Sequence, residues 1–160
     1  MKRKHPDAFF MRLAIKEARR NLHTGHGGPF GACIVKGGKV LAVARNTVLK
    51  EDATCHAEIN AIRAASKKLR SFNLSGCVIY STNEPCPMCF AAIHWARLKE
   101  VIYGTSIACA HSRGFNELDI PADVLKRIGK SRVKILRDFL LGECEGLLEE
   151  WDRCPHKGLY

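Results

Sequence analysis

The feature that most constrains this chain is a pair of short motifs about thirty residues apart, His56-Ala57-Glu58 and Pro85-Cys86-Pro87-Met88-Cys89. A histidine and two thiols are donors of the right softness for zinc, and three such ligands leave one position of a tetrahedron open. A carboxylate two residues after the histidine is placed to move protons at that open position rather than to hold metal. For the three donors to meet, both motifs must open neighbouring elements. Pro85 and Pro87 mark a helix start, because proline is tolerated in the first turn and not inside. Cys86 and Cys89, three apart, then share one helix face. The helix-forming run from Thr54 to about Leu69 puts His56, Ala57 and Glu58 in its first turn. Two residues apart, His56 and Glu58 would diverge in mid-helix; at the first turn both can reach a point beyond the helix end.

The surrounding pattern alternates helix and strand. Asp7 is a helix cap, with Phe9, Phe10, Leu13, Ile15 and Ala18 as the apolar side of a helix running to about Asn21. Gly25, Gly27 and Gly28 open a loop. Phe30 to Lys36 and Lys39 to Arg45 read as strands joined by the turn Gly37-Gly38, with Asn46 where the second gives way to loop. Cys77 to Ser81, the Pro87 helix and Val101 to Gly104 form a strand, helix, strand unit, which implies parallel pairing by a right-handed crossover. Pro121 to Ile128 reads as a helix, Val133 to Leu136 as a last strand and Gly142 to Trp151 as a final helix. The expected fold is α/β: one domain over residues 1–160, three layers α/β/α, with a mixed five-stranded sheet and helices on both faces.

Composition narrows the setting. Twenty-six Lys and Arg against sixteen Asp and Glu give a formal net charge of +10. The basic residues cluster at Lys2-Arg3-Lys4, Arg19-Arg20, Lys67-Lys68, Arg70 and from Lys126 to Arg137. Spread over several segments, they read as solvated helix faces in preference to one footprint for RNA. Eight cysteines with no export signal ahead of them favour metal binding plus buried thiols over a disulfide framework. No apolar run approaches membrane-spanning length, so the expectation is a cytoplasmic protein that does not engage a membrane.

Taken singly, neither motif is specific: H-x-E triplets are abundant, and a lone C-x-x-C is as readily redox-active or structural. A purely structural zinc would recruit a fourth protein ligand, for which Cys55 is the nearest candidate. Jointly, H-x-E and P-C-x-x-C form the signature of zinc nucleobase deaminases, with Glu58 as the proton carrier.

On these residues the chain resembles the cytidine deaminase-like superfamily, and within it bacterial guanine deaminases and plant guanosine deaminases. The stretches that carry the resemblance are Gly27 to Ala32, Cys55 to Arg63 and Glu84 to Arg97. The resemblance implies one zinc on His56, Cys86 and Cys89, and Glu58 as catalytic residue. It also implies Asn46 and the backbone at Ala57 as contacts to the base, and Phe30 and Trp95 as pocket walls. The implied reaction is hydrolytic deamination of a small nucleobase or nucleoside, guanine to xanthine plus ammonia. A homodimer is implied too, in which the segment from about residue 142 to 160 crosses to the partner and delivers Tyr160. Two positions depart from the guanine deaminases: Asn116-Glu117 replaces a pair of aspartates, and Asn83 replaces a small residue. Glu117 keeps a carboxylate for the base on a longer arm. The competing expectations are a tRNA adenosine deaminase, which the net charge favours, and a non-catalytic, zinc-stabilised nucleic-acid-binding domain.

Overall fold

A computed structural model describes residues 5–155 and 157–160; the Lys2-Arg3-Lys4 cluster lies outside the described residues. In chain order the elements are α1 (Ala8–Arg19), α2 (Asn21–Thr24), β1 (Gly31–Lys36), β2 (Lys39–Arg45), α3 (Ala57–Leu69), β3 (Cys77–Asn83), α4 (Pro87–Trp95), β4 (Glu100–Thr105), α5 (Ile107–His111), α6 (Ala122–Ile128), β5 (Lys134–Leu136) and α7 (Leu141–Asp152). The strands form one five-stranded sheet in the order β2-β1-β3-β4-β5. β1 runs antiparallel to β2 and β3, while β3, β4 and β5 are mutually parallel.

Alternation along the strands sorts side chains into two layers. Ile34, Ile79 and Val101 face α3, α4 and α6, packing on Ala57, Ala61, Ala65, Phe90 and Ile93. Their neighbours Cys33, Tyr80 and Ile102 face the other way, onto Phe10, Met11, Ala14, Ile15 and Leu147 of α1 and α7. This is the two-residue period of a pleated strand buried on both sides, and it gives the expected three-layer arrangement. Asp7 caps α1 by accepting from the Phe9 amide at 2.9 Å. Arg12 and Arg19 on α1 reach Glu143 and Glu150 on α7, both at 2.8 Å. The β1–β2 turn needs positive φ at both central residues, and Gly37 (φ 55°) and Gly38 (φ 77°) supply it.

The structure differs from expectation in local detail. The helix expected from Thr54 begins at Ala57, and the first helix breaks near Arg20 into α1 and the single turn α2. The five-residue α5, which follows β4, has too short an apolar pattern to read from sequence. Among the described residues no helix is long and apolar enough to cross a membrane.

Candidate active site

The site lies where the central parallel strands β3 and β4 end and α3 and α4 begin, the crevice at the carboxyl ends of strands that open α/β sheets favour for ligands. Both motifs sit at helix starts, one residue outside the helix. His56 is the N-cap of α3 (φ −64°, ψ 155°), and Cys86 is the N-cap of α4 (φ −62°, ψ 169°) with Pro87 as its first residue. An extended N-cap frees His56 from helical periodicity, which is how it and Glu58, two residues on, can face one point.

The His56 Nδ1 atom lies 3.6 Å from Cys86 Sγ and 3.5 Å from Cys89 Sγ. Two tetrahedral ligands at ordinary zinc–nitrogen and zinc–sulfur distances stand about 3.6 Å apart, so the triangle has the size zinc requires. The three donor atoms lie within 4.8 Å of one another. Cys55 is not a fourth ligand. Its sulfur is engaged with Glu51 Oε2 at 3.2 Å and with the Arg63 guanidinium at 3.4 Å.

Electrostatics points the same way. The hydrogen bond from Cys89, then the neighbouring His56, pulls the Cys86 thiol down to about 4. Burial, reinforced by the charges of Cys86 and Glu58, pushes Cys89 well up. Burial raises Glu58, whose side chain sits in a residue only 6% exposed, although Ser81 Oγ donates to its Oε1 at 3.1 Å. Burial and then the Cys86 charge lift Glu117 to about 7. Burial opposes a charge on His56, but Cys86 and the carboxylates of Glu58 and Glu117 outweigh it and raise its pKa. Two thiols and two carboxylates crowd one imidazole and favour a positive charge among them, which a divalent cation would supply. The donor set therefore fits zinc by both geometry and charge.

A narrow cavity opens beside these groups. Phe30, Asn46, Glu117 and Tyr160 line it with His56, Glu58 and Cys86, and so do Asn83 and Glu84. Asn46 is 1% exposed, and its Oδ1 accepts from the Val48 amide at 3.0 Å, which leaves the donor end Nδ2 for a ligand. Gly27 allows this placement, since a Cβ there would collide with the Asn46 side chain and carbonyl. Tyr160 Oη accepts from the Gly28 amide at 3.2 Å and its carbonyl accepts from the Asn116 amide at 3.0 Å, so the tail closes the cavity of its own chain. Phe115 packs its ring 5.0 Å from Phe30 and 5.5 Å from Tyr160. Ala57, the first residue of α3, is fully buried behind the cavity, and a first-turn amide of this kind has no acceptor within its helix.

Trp95 does not join the cavity of its own chain. It is 77% exposed at the end of α4 and faces a separate surface groove with Ile62, Phe72 and Arg97. Six residues past Cys89 is roughly 240° around a helix, so a Cys89 turned to the site carries Trp95 away from it. Sequence reasoning missed Ser81, which holds Glu58, and Glu84. Ser81 is an ordinary polar residue inside β3 and Glu84 the residue just past it, with nothing local to mark either.

The comparisons agree with this geometry. The family described as the cytidine and deoxycytidylate deaminase zinc-binding region matches residues 4–105. The chain is 43% identical over 121 residues to the guanine deaminase of Bacillus subtilis (strain 168), covering 71% of this chain and 78% of that one. It is 41% identical over 96 residues to the tRNA-specific adenosine deaminase of Aquifex aeolicus (strain VF5), covering 59% of this chain and 63% of the other. A solved structure of the guanine deaminase from Nitrosomonas europaea superposes with a TM-score of 0.82 at 25% identity, covering 91% of this chain and 84% of that one.

Proposed function

The chain belongs to the cytidine and deoxycytidylate deaminase zinc-binding family, and from that premise we propose that it is a zinc-dependent deaminase whose substrate is guanine, released as xanthine and ammonia. The observation that carries the reading is the His56–Cys86–Cys89 triangle with a buried glutamate beside it. Glu58 Oε2 lies 3.5 Å from Cys89 Sγ, within reach of whatever the open ligand position would hold.

Zinc, when bound, supplies the Lewis acidity that makes water a competent nucleophile near neutral pH. Glu58 does the proton work. Its carboxylate accepts a proton from the attacking water and delivers it to N3 of the purine, then takes the proton remaining on the oxygen added at C2 and passes it to the amino group that leaves C2. Water's oxygen ends as the C2 carbonyl, and the amino nitrogen departs as ammonia. Burial raises the Glu58 pKa, which suits a group that must take and return a proton. Ser81 Oγ holds one carboxylate oxygen and leaves the other to the reaction.

The remaining wall reads the base. Asn46 Nδ2 donates to a ring or carbonyl acceptor, and Glu117 accepts from a ring N–H. Phe30 supplies an aromatic wall, Tyr160 a lid, and the Ala57 amide a donor at the helix start. Guanine offers both kinds of partner, a keto oxygen and ring N–H groups. The proposal takes residues 1–160 as one catalytic unit, acting as a cytoplasmic homodimer. Exposed Phe72, Trp95 and Ile128 offer apolar surface for a second copy. In such a dimer the tail carrying Tyr160 could close either protomer's cavity.

The tRNA reading draws on the Aquifex relative and on the +10 charge. The cavity itself disfavours it, since its lining holds three glutamates and no Lys or Arg. Arg97, Lys99, Lys130, Arg132 and Lys134 surround a surface cavity beside Ser75, where β3, β4 and β5 begin. The seven residues of β3 put that cavity about 20 Å from the site at the strands' other end. A non-catalytic zinc domain leaves Glu58 without a task. The test is ammonia release from guanine, guanosine, adenine, cytosine and cytidine, beside inosine formation in tRNA. Guanine turnover alone supports the reading; inosine in tRNA with no turnover of free bases overturns it.

A further inference from the structure

We propose that Glu84 is a positioning residue for this site, holding the segment that carries Phe115 and Glu117 against the zinc-binding turn. Glu84 is 7% exposed and two residues before Cys86. Its carboxylate is fully committed. Oε2 accepts from the Ile107 amide at 3.0 Å and Oε1 accepts from the Ala122 amide at 2.9 Å. Ile107 and Ala122 are the first residues of α5 and α6, where an amide has no acceptor inside its own helix. One side chain thus satisfies two helix starts fifteen residues apart. A buried carboxylate needs such partners to be tolerated at all.

What lies between the two anchors is the substrate-facing wall. From Ser112 to Pro121 the chain has no helix or strand, yet it places Phe115 against Phe30 and Tyr160, and Glu117 in the cavity. Irregular chain holds a fixed shape only where its ends and contacts impose one. Here the ends close on Glu84, whose own amide is tied to the Thr105 carbonyl at 2.7 Å. The clasp therefore links the β3–α4 turn, which presents Cys86, to the loop that presents Glu117. The catalytic consequence rests on the reading that this cavity takes guanine.

Glu84→Gln keeps the size of the side chain but sets an amide N–H against one of the two backbone donors, leaving that buried donor unpaired. With zinc retained, KM for guanine should rise about tenfold while kcat falls less, since the proton carrier is untouched. Hydrogen exchange on the zinc-loaded, ligand-free protein should quicken in residues 106–122 and not in β1 or β3. Unchanged KM in the folded, zinc-loaded variant, or exchange that quickens uniformly, would overturn the proposal. If the variant does not fold, wild-type amide exchange decides: the Ile107 and Ala122 amides should be protected as strongly as strand amides. Rapid exchange at both would refute the clasp. If wild-type protein ignores guanine, the substrate reading fails, and the exchange experiment still judges Glu84 by itself.

Discussion

The wall that carries His56, Glu58, Cys86 and Cys89 stands on the central sheet, whereas the wall that carries Phe115, Glu117 and Tyr160 is made of connecting chain. The first wall is two helix starts set over β1 and β3, with Ala57, Ala61, Phe90 and Ile93 packed into the core beneath. The second is a loop clasped at its ends by Glu84 and a tail held by two hydrogen bonds at Tyr160. The same core that stabilises the fold fixes the metal-binding geometry, so the chemistry comes with the fold. The groups proposed to read the base are held by a few polar contacts and one small aromatic cluster of Phe30, Phe115, Trp151 and Tyr160, so one substitution should move them without unfolding the protein. The difference teaches that reaction type and substrate choice are separable here.

Damage to the sheet-borne wall should have the largest effect. Cys86→Ala removes a zinc ligand, and we expect metal content and ammonia release to be lost together; full metal occupancy in that variant would break the assignment. Gly27→Ala comes next. The added Cβ must displace the Asn46 amide, and a small displacement of a binding group should cost about tenfold or more in kcat/KM with zinc retained. Glu117→Gln removes an acceptor for ring N–H groups, so KM for guanine should rise about tenfold with little change in zinc content. Loss of zinc there would erase the separation between the two walls.

The smallest effect concerns neither wall. Arg19 holds the Glu150 carboxyl below its usual range through their hydrogen bond. A depressed carboxylate pKa adds stability above its unfolded value, and that stability is lost as pH falls through the folded one. Arg19→Ala should therefore lower stability at pH 7 by roughly 0.2–1 kcal/mol, as surface ion pairs do. The deficit should shrink as pH falls below the ordinary glutamate range, with kcat/KM unchanged.

The sheet-borne wall was legible in the sequence because its signals are local. The glycine pair gives the β1–β2 turn, Pro87 gives the α4 start, and strand–helix–strand spacing gives the parallel β3–β4 pair. The α3 start was misplaced by three residues, Thr54 for Ala57, since propensity does not locate a cap whose side chain is committed to a metal site. The loop-borne wall was legible only through family resemblance. Glu117 and Tyr160 reach the cavity by folding back over the protein, and no short-range pattern encodes that. Trp95 lies outside its own chain's cavity, since resemblance cannot say which face of a nine-residue helix its last residue takes. Glu84 went unnoticed because its partners are backbone amides 23 and 38 residues downstream.

The most direct test of the account is to measure zinc content and xanthine formation together on Glu58→Gln. The account predicts one zinc per chain, as in the wild type, with turnover lower by about 10²–10⁴-fold, the usual weight of a general acid–base. Turnover near the wild-type rate, or zinc lost along with activity, would contradict the division between the metal's ligands and the residue that carries the proton.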